Sequence, residues 1–423
     1  MDSTVAIVVF VAAFALIVSE RVHRTTVALA GGVVMLVVGL EGYGQHEAFA
    51  AIDLNVIFLL VGMMVIVNVL SRTGIFQLLS VRAAKIARGN GVGLLLLLSL
   101  VTAVLSAFLD NVTTVVLMVP VTLILAETLN IRAAPLLIAE ALASNVGGAA
   151  TLVGDPPNIL IASAADLTFA EFAANMAPLS VLTLALGLAT VAVMARRELS
   201  VSEEARAAIS SIDESRMIED PRLLRLCLPV LALTIVGFLF HGALDLEPAT
   251  IALAGAALLL LVTRRDPHEA LREVEWSTIF FFVGLFMMVG GLETVGVLAD
   301  VAEFVADLSG RDPTGTSLLL LWVSGVLSGV VDNIPYTTAT IPVVADLNTQ
   351  IDAGDTLWWA LAMGADFGGN LTIVGASANV LVANLAARGG NPISFLEFAR
   401  YGVPVTLLSL LLSSLYLWLR YLS

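Results

Sequence analysis

Apolar runs long enough to cross a bilayer, about 17 to 25 residues each, recur from one end of the chain to the other. "VAIVVFVAAFALIV" opens it and "VTLLSLLLSSLYLWL" nearly closes it. The runs predict helical spans at 4–19, 25–40, 54–71, 91–127, 134–164, 174–195, 224–241, 249–263, 277–292, 316–345, 357–386 and 402–421. Those at 91–127, 134–164, 316–345 and 357–386 are interrupted by polar residues or glycine, giving six units followed by six more. No stretch is left over for a soluble domain. The first run lacks a basic flank and a small-residue cleavage site, so it reads as a span and not as a removed signal peptide.

Sidedness follows from the charges between the runs. If the segments at 91–127 and 316–345 turn back at their Asp-Asn pairs and the amino terminus lies outside, all but two of the basic residues fall on one side. Arg21, Arg24, Arg72, Arg82, Lys85, Arg88, Arg196, Arg197, Arg264, Arg265, Arg272, Arg388 and Arg400 are among them, and only Arg311 and Arg420 fall on the other. The positive-inside rule assigns the basic side to the cytoplasm. Both termini and the 293–315 loop then lie outside a prokaryotic plasma membrane. The polar stretch 196–222 reads as a solvated cytoplasmic tether between a first unit at 1–195 and a second at 223–423.

Composition agrees with the pattern: 59% of the 423 residues are hydrophobic, 13% are charged, and the mean hydropathy is +0.98. The net charge of −15 argues against nucleic acid as a partner. A single cysteine, Cys227, excludes an internal disulfide and a cysteine metal cluster.

Two short motifs recur. "GGAATLVGDPPN" at 147–158 returns as "GGNLTIVGASAN" at 368–379, and eight of eighteen positions are identical between 145–162 and 366–383. "DNVTTVVLMVP" at 110–120 returns as "DNIPYTTATIP" at 332–342, and 56–74 resembles 278–296. With six units per half, the second copy runs opposite to the first, an inverted repeat. The glycine pairs Gly147-Gly148 and Gly368-Gly369, with Gly154 and Gly375 downstream and Pro156-Pro157 in the first copy, are expected to interrupt helices inside the membrane. Backbone groups freed at such depth must line a site. Around them stand hard oxygen ligands: Ser144, Asn145, Thr151 and Asn158 in the first copy, Asp366, Asn370, Thr372 and Asn379 in the second. This set suits a sodium ion or a small substrate and not a transition metal.

Asp110 and Asp332 are the sharper signal, because a carboxylate in mid-membrane costs roughly 2.5–3.5 kcal/mol or more and is functional by default. Each precedes an asparagine, Asn111 or Asn333, and then hydroxyls (Thr113, Thr114; Tyr336, Thr337, Thr338), as expected of a hairpin tip that supplies ligands. Glu140 and Asp155 are further buried acids and candidate proton sites.

The segments "FLDNVTTVVLMVPVTLILAETLNI", "IAEALASNVGGAATLVGDPPN", "DNIPYTTATIPV" and "GGNLTIVGASANV" resemble the family of the melanosomal P protein and its prokaryotic relatives, in the ArsB/NhaD group of the ion transporter superfamily. The resemblance covers nearly the whole chain. It implies an all-α polytopic membrane protein of two inverted repeats, each with a re-entrant helical hairpin and a broken helix. It also implies a homodimer with an elevator motion. Related divalent anion/sodium symporters carry Ser-Asn-Thr at the hairpin tips; here Asp110-Asn111-Val112 and Asp332-Asn333-Ile334 occupy those places. Acid in place of hydroxyl points to proton or cation handling more than to a dicarboxylate cargo.

The expected function is proton- or sodium-linked secondary transport of a small ion or anion, with no enzymatic activity. Arsenite efflux and sodium/proton antiport are alternatives within the class. An ion channel and an intramembrane aspartyl protease are alternatives outside it. Against the protease stands the lack of a Gly-x-Gly-Asp motif.

Overall fold

The computed structural model describes residues 2–19, 21–202, 213–214 and 217–422, and among them every regular element is helical. Lipid offers the backbone no hydrogen-bond partner, so apolar spans satisfy their own amides as helices. Before the polar connection run α1 (Asp2–Val18), α2 (Arg24–Val37), α3 (Gln45–Ala50), α4 (Leu54–Ser71), α5 (Ile75–Ile86), α6 (Gly91–Ser106), α7 (Asn111–Leu129), α8 (Ala134–Gly148), α9 (Pro156–Ala164) and α10 (Phe169–Ala195). After it run α11 (Pro221–Leu244), α12 (Pro248–Thr263), α13 (Pro267–Arg272), α14 (Trp276–Thr294), α15 (Val297–Leu308), α16 (Pro313–Val331), α17 (Asn333–Gln350), α18 (Thr356–Gly368), α19 (Ser377–Arg388) and α20 (Phe395–Leu417), which continues into a π-helical turn.

Among the described residues seven helices are long and apolar enough to cross a membrane: α4, α7, α10, α11, α14, α16, and α20 with its terminal turn. Shorter apolar helices are α1, α2, α6 and α12. The protein is a multi-pass membrane protein. Its helices begin on side-chain caps where the sequence supplies them. Asp53 accepts from the amides of Asn55 and Val56 at the head of α4, and Thr168 and Glu171 form a capping box on α10.

The two sets of helices interlock. α2 packs on α14 and α4 on α12, while α7 meets α19 and α9 meets α17. Small residues let these backbones approach. A β-carbon on Gly62 would lie 2.7 Å from the Ala252 carbonyl carbon, and one on Gly284 would lie 2.3 Å from that of Ala28. In the middle are α8 and α18, each packed against the helix two places before it, α6 and α16. Every residue of both central helices is buried. Polar groups they carry must therefore find partners inside the protein.

Two expectations change. The 293–315 stretch is not a plain loop, because it holds α15; α5 is its counterpart after α4. Both are amphipathic helices whose charges, such as Arg82, Lys85, Asp300 and Glu303, break up the apolar signal. Of the 196–222 connection, residues 203–212, 215 and 216 lie outside the described residues, and its last part is no free tether. The Glu219 amide donates to the Thr73 carbonyl at 3.0 Å, and Glu214 pairs with Arg82 at 3.1 Å and Lys85 at 3.3 Å.

Candidate functional site

The repeated glycine pairs do not themselves break the helices. α8 runs through Gly147-Gly148 and α18 ends at Gly368, with Gly369 still in the right-handed helical region. Their purpose is close approach. A β-carbon on Gly147 would stand 2.2 Å from the Ala103 carbonyl oxygen of α6, and one on Gly368 would stand 2.4 Å from that of Gly325 on α16. The breaks come afterwards, at 149–155 and 370–376, before α9 opens on Pro156-Pro157 and α19 on Ser377. Proline has no N–H to give a continuing helix, which accounts for the first break.

Asparagine stitches each break together. The Asn158 amide donates to the carbonyls of Gly148 at 3.2 Å and Thr151 at 3.0 Å. Asn379 does the same with Gly369 at 2.8 Å and Thr372 at 3.0 Å. The carbonyls beside the glycines, expected to be open to a cation, accept protein amides instead, and those of Gly148 and Thr372 each take a second backbone amide, from Thr151 and Gly375. The Thr151 hydroxyl donates to the Ala107 carbonyl, and the Thr372 hydroxyl to that of Gly329 at 2.6 Å. These bonds pin the breaks to the ends of α6 and α16. Ser144 Oγ donates to the Asn111 carbonyl at 3.1 Å and so ties α8 to the head of α7.

Between the two breaks lies a cluster of amides and acids. Asn145 Nδ2 donates to Asn370 Oδ1 at 2.9 Å and to Asn379 Oδ1 at 3.0 Å, joining α8 to the second break. Asn111 and Asn333, the first residues of α7 and α17, both donate to Asp155 Oδ2, at 2.9 and 3.2 Å. Asp155 thus receives an amide from each Asp-Asn junction. Asp155 and Asp366 are 0% exposed. Asp155 Oδ1, both carboxylate oxygens of Asp366, Asn158 Oδ1 and Thr337 Oγ1 have no hydrogen-bond partner. Among the described residues no lysine or arginine is buried, so no side-chain cation neutralises these acids.

The remaining acids sit differently. Asp110 caps α7, accepting from the Thr113 amide at 2.9 Å and from the Thr113 hydroxyl. Asp332 caps α17 through the Ile334 amide at 3.1 Å but has φ 94°, a region costing a non-glycine residue about 1–3 kcal/mol. It also accepts from Arg24 Nη1 at 3.4 Å and Ser377 Oγ at 2.9 Å. Glu140, buried on α8, accepts from Thr122 of α7 at 2.6 Å through one oxygen, and its other oxygen is unpartnered.

A cavity of about 510 Å³ opens beside Asp332, lined by Arg24, Glu275, Thr278, Ser377 and Asn384 among others. A second, of about 380 Å³, is lined by Asn55, Ser163, Asp166, His241 and Glu247. Arg24, Ser377, Glu275 and Thr278 were not singled out by the sequence. A basic residue heading an apolar helix, and a serine at the place of Pro156 in the second motif, were the available signals.

Apolar helices enclosing buried acids and amides at helix breaks are the setting of a membrane transporter. The chain belongs to the CitMHS family, described as Citrate transporter, whose model matches residues 14–364. It is 48% identical to an uncharacterized transporter of Mycobacterium tuberculosis over 99% of each chain. It is also 34% identical to the human P protein, covering 98% of this chain and 59% of that one. The crystal structure of the Alcanivorax borkumensis YdaH transporter has a similar fold, with a TM-score of 0.57 at 15% identity, covering 96% of this chain and 98% of that chain.

Proposed function

We propose that the protein is a secondary active transporter that couples movement of a small anion to a proton or sodium ion, with Asp155 and Asp366 as the coupling station. One observation carries this reading: two fully buried carboxylates with unpartnered oxygens and no buried basic residue among the described residues. Two ionised acids in such a place are too costly unless a proton or bound cation neutralises them for part of the cycle. Asn111 and Asn333 hold Asp155 in position, Asn145 joins Asn370 and Asn379 beside it, and the oxygens of Asn158 and Thr337 are available as further ligands. Glu140 is a second proton site along α8.

The family's description as a citrate transporter supports a carboxylate anion as cargo. The matched order of helices, with α2 on α14 mirrored by α4 on α12, supports two inverted repeats, 1–195 and 223–423, joined by a cytoplasmic linker at 196–222. In this reading α6–α7 and α16–α17 are re-entrant hairpins, with Asp110 and Asp332 at their tips. The protein works as a homodimer with an elevator motion, its termini outside the plasma membrane.

The test is transport by the full chain in liposomes, with citrate, succinate, arsenite, chloride, sodium and proton fluxes followed under imposed gradients. Uptake of a carboxylate driven by a proton or sodium gradient is expected, and it should be lost in Asp155→Asn and Asp366→Asn. Sodium/proton exchange without an anion would replace this reading by antiport. Wild-type rates and unchanged ion dependence in both variants would remove the acids from the mechanism.

A further inference from the structure

The cavity beside Asp332 contains a group the central cluster lacks, a guanidinium. Arg24 is the first residue of α2, and its side chain is 30% exposed. Nη1 donates to Asp332 Oδ2 at 3.4 Å and to Ser377 Oγ, and Ser377 Oγ donates in turn to the same carboxylate oxygen at 2.9 Å. The guanidinium carbon lies 5.2 Å from the centre of the Phe281 ring, which helps to hold its plane. Nε and Nη2 have no hydrogen-bond partner among the described residues. An arginine presents a fork that matches a carboxylate through two parallel bonds, and here only one prong is engaged.

This arrangement exists on one side only. The other junction acid, Asp110, has φ −67° and takes its side-chain bonds from Thr113 of its own helix. In the first motif the place of Ser377 is taken by Pro156, which has no hydroxyl, and the second cavity contains no arginine in its lining. The three-way contact is therefore a specialisation of the Asp332 side and not a consequence of the repeated pattern.

We propose that Arg24 is the group that recognises the transported anion, and that Asp332 is its internal competitor. Without cargo the guanidinium is latched to Asp332 and Ser377. Protonation of Asp332 removes the competing charge and frees the guanidinium to take a carboxylate entering the cavity. The volume, about 510 Å³, falls in the range of small-molecule sites. Two anions competing for one cation give a reciprocal linkage: the proton strengthens anion binding, and the anion strengthens protonation. Binding should therefore tighten as pH falls. Arg24 faces Asp332 from α2, His23 and Glu275 line the same cavity, and the neighbouring Asn333 donates to Asp155 at 3.2 Å. His23 is a further titratable group of the same cavity and needs its own control. The inference rests on the reading that the cargo is a small anion.

The experiment is citrate binding to the purified full chain by calorimetry at pH 6 and pH 8, with succinate and chloride as comparison probes. Wild type should bind citrate more tightly at pH 6. Arg24→Ala should weaken binding at pH 6 by at least about tenfold, the scale of a charge-assisted hydrogen bond, and Arg24→Lys should fall between. Asp332→Asn should bind citrate more tightly than wild type at pH 8 and with a smaller pH difference, and His23→Gln should keep the wild-type difference. Because Asp332→Asn leaves Arg24 in place, it decides the matter even if Arg24→Ala folds poorly. The latch is overturned if Arg24→Lys and Arg24→Ala bind citrate like wild type, or if Asp332→Asn keeps the wild-type pH difference. If wild type binds none of the three anions while proton or sodium flux persists, the anion reading fails first and the latch with it.

Discussion

A single methyl group tests the role of the repeated glycines. Gly147→Ala would place a β-carbon 2.2 Å from the Ala103 carbonyl oxygen, which is backbone and cannot swing away. α8 must then move off α6, at a cost of about 1–3 kcal/mol. Thermal melting of the purified protein should show a clear fall, and an unchanged midpoint would mean the helices are not in such contact. The motif made these positions visible because a spacing kept twice marks a shared constraint. It did not reveal the constraint: close packing and helix breakage use the same residue type. Asn158 and Asn379 were legible for the same reason, though their amides serve the backbone of the break. Arg24 and Ser377 were not legible as partners of Asp332, since they lie 308 and 45 residues away in sequence. Only folding brings them together.

Apolar runs made the spanning helices readable, and the same method was blind to α5 and α15, where charges interrupt the run. Each begins directly after a left-handed glycine, Gly74 (φ 81°) and Gly296 (φ 79°), at the end of the matched stretches 56–74 and 278–296. These two glycines separate two costs. Gly296→Ala meets open space and should lose only the backbone preference, roughly 1–2 kcal/mol. Gly74→Ala would also drive a β-carbon to 2.0 Å from the Met217 carbonyl oxygen and should melt lower. Equal melting points would mean that the end of the connection does not rest on α5. Charge provides a second probe of that contact. Hydrogen bonds from Arg82 and Lys85 hold the Glu214 carboxyl below its usual range. A depressed folded value means the contact is fully present above the ordinary glutamate pKa of 4.5 and is lost as pH falls through the lower value. Hydrogen exchange in 217–222, corrected for intrinsic rates, should accelerate in acid, and Glu214→Gln should reproduce that loosening at neutral pH. Protection that is identical in the variant would dismiss the pair as a contributor.

At the scale of the whole molecule the two sets of helices are interlocked, because α2 belongs beside α14 and α4 beside α12. Such exchange explains how one chain can present a cavity at the α1–α2 turn and another at the α9–α10 turn, where Val22 and Asp166 respectively line the openings. The positive-inside threading puts Val22 in the cytoplasm and Asp166 outside. If the halves are inverted, the cavities must open on opposite sides, since each is built from corresponding elements of the opposite repeat. Cys227 is 1% exposed, so replacing it with serine leaves a background with no reactive thiol. Val22 and Asp166 are both exposed positions suited to a single introduced cysteine. In intact cells a membrane-impermeant maleimide should label Asp166→Cys and spare Val22→Cys, and in inside-out vesicles the preference should reverse. The reverse result in both preparations would turn the whole protein over while leaving the inverted arrangement standing. Labelling of both positions from one side would end it, because two corresponding cavities on the same face require the repeats to run in parallel.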